Sequence, residues 1–134
     1  MAHCIFCEII AKRTDPDLTI FENDQVIALV SLRQKPSNHG HALVIPKRHI
    51  ETIYELPEDL NAPLMSALRL LARATKKAFS TDEIQIRQNN EPAANQDVFH
   101  LHFHIVPRYL SDAFEAKTYE ILPLQTRRAL ASRV

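Results

Sequence analysis

The chain has 134 residues, 46% of them hydrophobic and 24% charged, with sixteen basic side chains balancing sixteen acidic ones. That length suits one domain able to bury about two-thirds of its unfolded surface. The charge balance excludes a global field drawing the chain to nucleic acid or an anionic membrane, and no apolar run approaches the ~20 residues that span a bilayer. The start, Met1-Ala2-His3-Cys4, lacks the charged-then-apolar plan of a secretory signal. The expectation is a cytoplasmic protein with neither membrane nor nucleic acid as a partner.

In chain order, Ile5, Phe6, Ile9 and Ile10 recur at helical spacing and predict a short helix over residues 4–12. Cys4 and Cys7 make a Cys-x-x-Cys pair there. A structural disulfide does not suit a reducing compartment, and a redox pair wants a preceding strand for which three residues are too few. Half of a zinc site and two unrelated thiols both stay open. Leu18–Glu22 and Gln25–Val30 flank Asn23-Asp24 and read as a β-hairpin. Residues 31–39, polar with Pro36, read as a loop. Gly40, the only glycine, marks a turn or a place where a missing Cβ admits a close neighbour. His41–Ile45 is β-rich and closed by Pro46, and Lys47, Arg48 and His49 begin a polar bend.

Residues 57–80 predict the long helix, with Leu60, Leu64, Leu68 and Leu71 in one stripe and Arg69, Arg73, Lys76 and Lys77 on a solvated face. Pro63 implies a kink, or a helix that really starts near Asn61. Ile84–Gln88 alternates as a strand, and residues 89–97, with Pro92, form a loop. In the tail, Thr118–Leu122 suggests a short element and Leu124–Ser132 a helix. Together these predict an α+β domain: an antiparallel sheet of about five strands with one long and one short helix.

The loop leads into Phe99-His100-Leu101-His102-Phe103-His104-Ile105-Val106-Pro107-Arg108, three histidines separated by single apolar residues. Alternation is the period of a strand, so the imidazoles should share one face about 6.7 Å apart while Leu101, Phe103 and Ile105 enter a core. One strand histidine is usually structural. Three in register each need a partner for a ring nitrogen if buried, which points to a site.

That run, together with Cys4-Ile5-Phe6-Cys7, the block from Gly40 and His41 to His49, and Gln96-Asp97-Val98-Phe99-His100, resembles the histidine-triad (HIT) family in order and spacing, over roughly residues 4–108. The resemblance implies a HIT-like fold in a single domain, 1–134, with 109–134 as a tail. It also implies a nucleotide hydrolase or transferase. Such an enzyme attacks the α-phosphate of nucleoside phosphoramidates or dinucleoside polyphosphates through a nucleotidyl-histidine on His102. His104 and Gln96 would stabilise the phosphate's charge, and His41 would orient the rings. Asn89, Asp97 and Val98 would contact the phosphate, and Phe6, Ile9, Leu29, Ser31, Leu32 and Leu43 a purine nucleoside. The family also implies a structural zinc on Cys4, Cys7, His49 and His100, and a homodimer. Relatives commonly carry glycine at the positions of Glu91 and Asn95, a hydroxyl at Asp97 and an acidic residue at Ser31. Those departures imply the alternative of a nucleotide-binding or interaction module with little or no catalysis.

Overall fold

The computed structural model describes residues 3–12 and 15–134. A five-stranded antiparallel sheet forms its centre. β1 is Thr19–Glu22, β2 Val26–Val30, β4 Ala42–Pro46, β5 Glu83–Gln88 and β6 Phe103–Arg108, in the spatial order β1-β2-β4-β6-β5. The two-residue strands β3, Arg33–Gln34, and β7, Glu120–Ile121, pair separately as a small second sheet. β3 falls in the stretch expected to be only a loop: two residues carry no periodicity, and the pairing comes from a distant segment, Arg33 with Ile121 and Gln34 with Glu120.

Helices cover the sheet unevenly. The long α2, Asn61–Ala78, buries Leu64, Ala67, Leu68 and Leu71 against Val26, Ala28, Val44, Leu101 and Ile105 on one face. It begins at Asn61, after a short 3-10 turn at Glu58–Leu60. Pro63 therefore occupies its first turn, where a missing N–H costs no intrahelical bond. On the opposite face the short α1, Ile5–Lys12, sets Phe6 against Ile27, Leu29 and Ile45. β2 is buried at all five positions because it is covered from both sides, which accounts for its unbroken apolar sequence. A third helix, α3, Leu124–Arg133, packs Leu130 and Ala131 on Val30, Phe79 and Leu122. Arg128 of α3 pairs with Asp15 and Asp17.

Gly40 has φ +114°, and a Cβ built there would stand 2.6 Å from Phe79 Cε2. The neighbour its missing side chain admits is the ring at the end of α2. Among the described residues no helix is long and apolar enough to cross a membrane.

Candidate active site and metal cluster

The β4–β6 ladder pairs Val44 with Phe103, Leu43 with His104 and Ala42 with Ile105, and starts only at Phe103. This corrects the expectation that one strand carries all three histidines: β5 ends at Gln88, opposite Phe103, and the ladder with β4 reaches no further. His100, in a bend, and His102 both precede the strand, and between them the Leu101 N–H donates to the Ile50 carbonyl. The alternation survives. Leu101 and Ile105 are wholly buried in the α2 core, while Phe6 of α1 meets the rings of both His100 and His102 on the other face.

His102 donates from Nδ1 to the His100 carbonyl at 2.8 Å, because a carbonyl can only accept. In the neutral ring Nε2 then keeps its lone pair. The His102 and His104 ring centroids stand 5.0 Å apart, closer than the strand repeat alone predicts. Behind them His41 Nε2 lies 2.8 Å from His104 Nδ1, and His41 Nδ1 is buried without a partner. An orphaned buried lone pair is more tolerable than an orphaned N–H. His41 is therefore the donor, and neutral His104 carries its hydrogen on Nε2. Burial, helped by His104, Arg87, His102 and Lys35, pulls His41 down to about 3. Burial, then His102 and Arg87, pulls His104 down to about 4 against the opposing influence of Asp97. Both rings are thus neutral donors at ordinary pH. Buried Gln34 holds His41 in place: its amide donates to the Ser31 and His41 carbonyls and accepts from the Gly40 and His41 N–H groups.

His100 uses the opposite nitrogen. Nε2 donates to the Pro46 carbonyl at 2.8 Å, and Nδ1 turns toward the N-terminal helix. It lies 3.3 Å from Cys4 Sγ, 3.5 Å from Cys7 Sγ and 3.2 Å from His49 Nδ1. Cys7 Sγ is 3.3 Å from His49 Nδ1, and all four atoms fall within 4.8 Å of one another. Tetrahedral zinc with two thiolates and two imidazoles has edges of about 3.3–3.8 Å, so the donor set fits such an ion. Burial, with Cys4 as hydrogen-bond partner and like charge, pushes the Cys7 thiol up to about 11, and a cation is what would hold two adjacent thiolates together. The cluster could coordinate a metal such as zinc.

A cavity of about 910 Å³ opens beside the imidazoles. Phe6, Ile9, Leu29, Ser31, Leu32 and Leu43 line it, as do Asn89, Asp97 and Val98 and the imidazoles of His41, His102 and His104. Gln96 does not reach it, which corrects its expected role as an amide donor to phosphate. It is 4% exposed, accepts from the Glu91 N–H at 2.7 Å, and donates to the Glu51 and Val98 carbonyls at 2.7 and 3.1 Å. Gln96 is a brace for the 89–97 loop. That loop bends sharply at Glu91, φ 72°, and Asn95, φ 67°, the two positions where the family resemblance implies glycine. Asp97 is exposed but reaches the rim of the site, with Oδ1 3.5 Å from His102 Nε2. Sequence reasoning missed Gln34, Lys35, Arg87 and Tyr119, of which the last three also line the cavity. Only Arg87 left a trace, in the alternation of β5, and its face is decided by register with β6.

The HIT-domain family model matches residues 12–111. The chain belongs to the HIT family. A protein of Arabidopsis thaliana named adenylylsulfatase HINT3 is 38% identical, across 84% of this chain and 56% of its own. The adenosine 5'-monophosphoramidase HNT1 of Saccharomyces cerevisiae is 36% identical, across 80% of this chain and 63% of its own. The chain thus spans less than two thirds of either. A Zn-bound histidine triad family protein from Mycobacterium smegmatis superposes with a TM-score of 0.79 at 30% identity, covering 97% of this chain and 91% of that one.

Proposed function

We propose that the protein, as a single cytoplasmic domain, is a nucleotide hydrolase or transferase that attacks the α-phosphate of a nucleotide conjugate through His102. The observation that carries this reading is the 2.8 Å hydrogen bond from His102 Nδ1 to the His100 carbonyl, which keeps Nε2 available beside the cavity. Nε2 bonds to phosphorus, and His104, donating from Nε2, holds a non-bridging oxygen. His41 orients His104, and Asn89 contributes an amide at the loop. Phe6, Ile9, Leu29 and Leu43 take the purine by shape, with Ser31, Leu32 and Val98 at the edges of the slot. Names given to relatives, adenylylsulfatase and adenosine 5'-monophosphoramidase, support a nucleotide conjugate as substrate.

Cys4, Cys7, His49 and His100 hold a structural zinc in the same reading. Four protein ligands leave no open position for water, so the metal's contribution is to tie α1 to the segment carrying His102. The solution species is a homodimer, by the family resemblance.

Acid quenching during turnover, followed by mass measurement, tests the mechanism. A nucleotidyl adduct on the native protein, absent from His102→Asn, is expected; unchanged turnover by that variant removes it. The Asp97 carboxylate, 3.5 Å from His102 Nε2, favours a second reading, a binding or interaction module with little catalysis, because a negative charge beside the nucleophile disfavours its approach to a charged phosphorus. Tight nucleotide binding with no adduct on quenching would select it.

A further inference from the structure

The open face of the sheet changes character in one direction. Register sets Leu29 opposite Leu43, Leu43 opposite His104 and His104 opposite Arg87. Directly opposed residues share a face with Cβ atoms about 5 Å apart. The row therefore runs from two leucines, through an imidazole, to a guanidinium on edge strand β5. The leucine end adjoins Phe6 and Ile9 and is the end given above to the nucleoside. With phosphorus at His102, the group leaving it lies toward Arg87.

Arg87 is poorly partnered for a charged side chain. Nη2 donates to Tyr119 Oη at 3.0 Å, Nε is buried with no hydrogen-bond partner, and among the described residues no carboxylate pairs with it. Lys35, 7% exposed, lines the same cavity. Its Nζ donates to the Phe114 carbonyl at 2.8 Å and lies 3.9 Å from the Phe114 ring centroid and 4.9 Å from that of Tyr119, again without a carboxylate among the described residues. Tyr119 thus touches both cations, and its ring centroid is 6.0 Å from that of His41. Glu115, on the same rim, is exposed. Asp15 and Asp97 also line the cavity, but Asp15 pairs with Arg128 and Asp97 stands at His102, so the two cations at the Tyr119 end keep donors that an oxyanion would complete.

We propose that Arg87 and Lys35, joined by Tyr119, form an oxyanion subsite for the leaving group, so that the substrates are nucleotides whose α-phosphorus bears a sulfate or phosphate. This rests on the His102 mechanism. His102 Nε2 bonds to phosphorus as the bond from phosphorus to the bridging oxygen breaks, and that oxygen departs with the electron pair and needs no proton. Water then bonds to phosphorus, the phosphorus–nitrogen pair returns to His102, and the water's proton passes to solvent. An amine leaving group would instead require a proton, which a guanidinium cannot give. The cations therefore favour anhydrides over phosphoramidates.

The experiment compares native protein, Arg87→Gln and Arg87→Lys on adenosine 5′-phosphosulfate, diadenosine triphosphate and adenosine 5′-phosphoramidate. Removing a charged hydrogen-bond partner predicts a ~10–100-fold fall in the kcat/KM ratio of anhydride to phosphoramidate for Arg87→Gln. Arg87→Lys keeps the charge and should restore most of that ratio. A fall confined to the phosphosulfate assigns the subsite to sulfate, and one confined to the triphosphate assigns it to a phosphate chain. An unchanged ratio on both overturns the proposal. A binding arm is independent of turnover: inorganic pyrophosphate is titrated into His102→Asn with and without Arg87→Gln. Weaker binding in the double variant is expected, and equal binding overturns the subsite. Native protein that forms no adduct while the binding arm succeeds condemns the covalent mechanism alone.

Discussion

His100 and His102 are two residues apart, on one face, each donating one ring N–H to a backbone carbonyl at 2.8 Å, yet they serve two different sites, both bordered by Phe6. His100 spends Nε2 on Pro46 and turns Nδ1 to two thiols and His49; His102 spends Nδ1 on His100 and keeps Nε2 beside the cavity. The difference is one of tautomer, and the backbone sets it. A carbonyl placed near one nitrogen decides which lone pair remains, and so whether a ring faces a cation or an electrophile.

The hardest test of that division is the exchange of His102 for asparagine, which keeps polarity but cannot form the adduct. Turnover should fall by at least about 10³-fold, measured as kcat, while the metal content stays intact. Replacing Cys4 and Cys7 by serine should do the reverse. Elemental analysis should show the zinc lost, and denaturant titration should show a loss of about 3 kcal/mol or more, because binding energy at a structural site is folding energy. A kcat loss as deep as that of His102→Asn would merge the two sites into one.

Acid sharpens the comparison further. His41 and His104 protonate in the fold only near 3 and 4, whereas in the unfolded chain they protonate near the ordinary histidine value of 6.5. Between those values the unfolded state binds more protons, so stability should fall as pH drops from about 6.5 toward 4, by up to about 1.4 kcal/mol per pH unit for each ring. His41→Gln should flatten the slope by one proton's worth in thermal melts across that range. The smallest effect concerns the loop beside His102. Glu91 holds φ 72° and ψ 164°, a region that suits glycine, so Glu91→Gly should stabilise by about 1 kcal/mol. No gain in the denaturation midpoint would mean that the bond from the Tyr54 hydroxyl to the Glu91 carboxylate offsets the strain.

The elements most legible in the sequence were those whose period is local. The leucine stripe of α2, the alternation of β5 and the His-x-His-x-His parity each depend on neighbours a few residues apart. The start of α2 was only half readable: a helix over 57–80 with a kink at Pro63 and one beginning near Asn61 fit the sequence equally, and the structure takes Asn61. Gln96, Asp97 and Arg87 were not readable in this way. Gln96 is a brace because the carbonyls of Glu51 and Val98 are within its reach, and nothing near it in the chain says so. Asp97 turns toward His102 because the loop bends at Glu91 and Asn95, non-glycine residues at positive φ.

Sequence alone determined which residues could do chemistry here and which face of the alternating segment they would occupy, since a two-residue period and side-chain type are local properties. Tertiary structure decided which nitrogen of each imidazole is free, which thiols and rings converge, and that a guanidinium on β5 stands opposite His104. Those outcomes depend on carbonyls and strand registers contributed by segments tens of residues away. Their positions follow from how the sheet and helices pack.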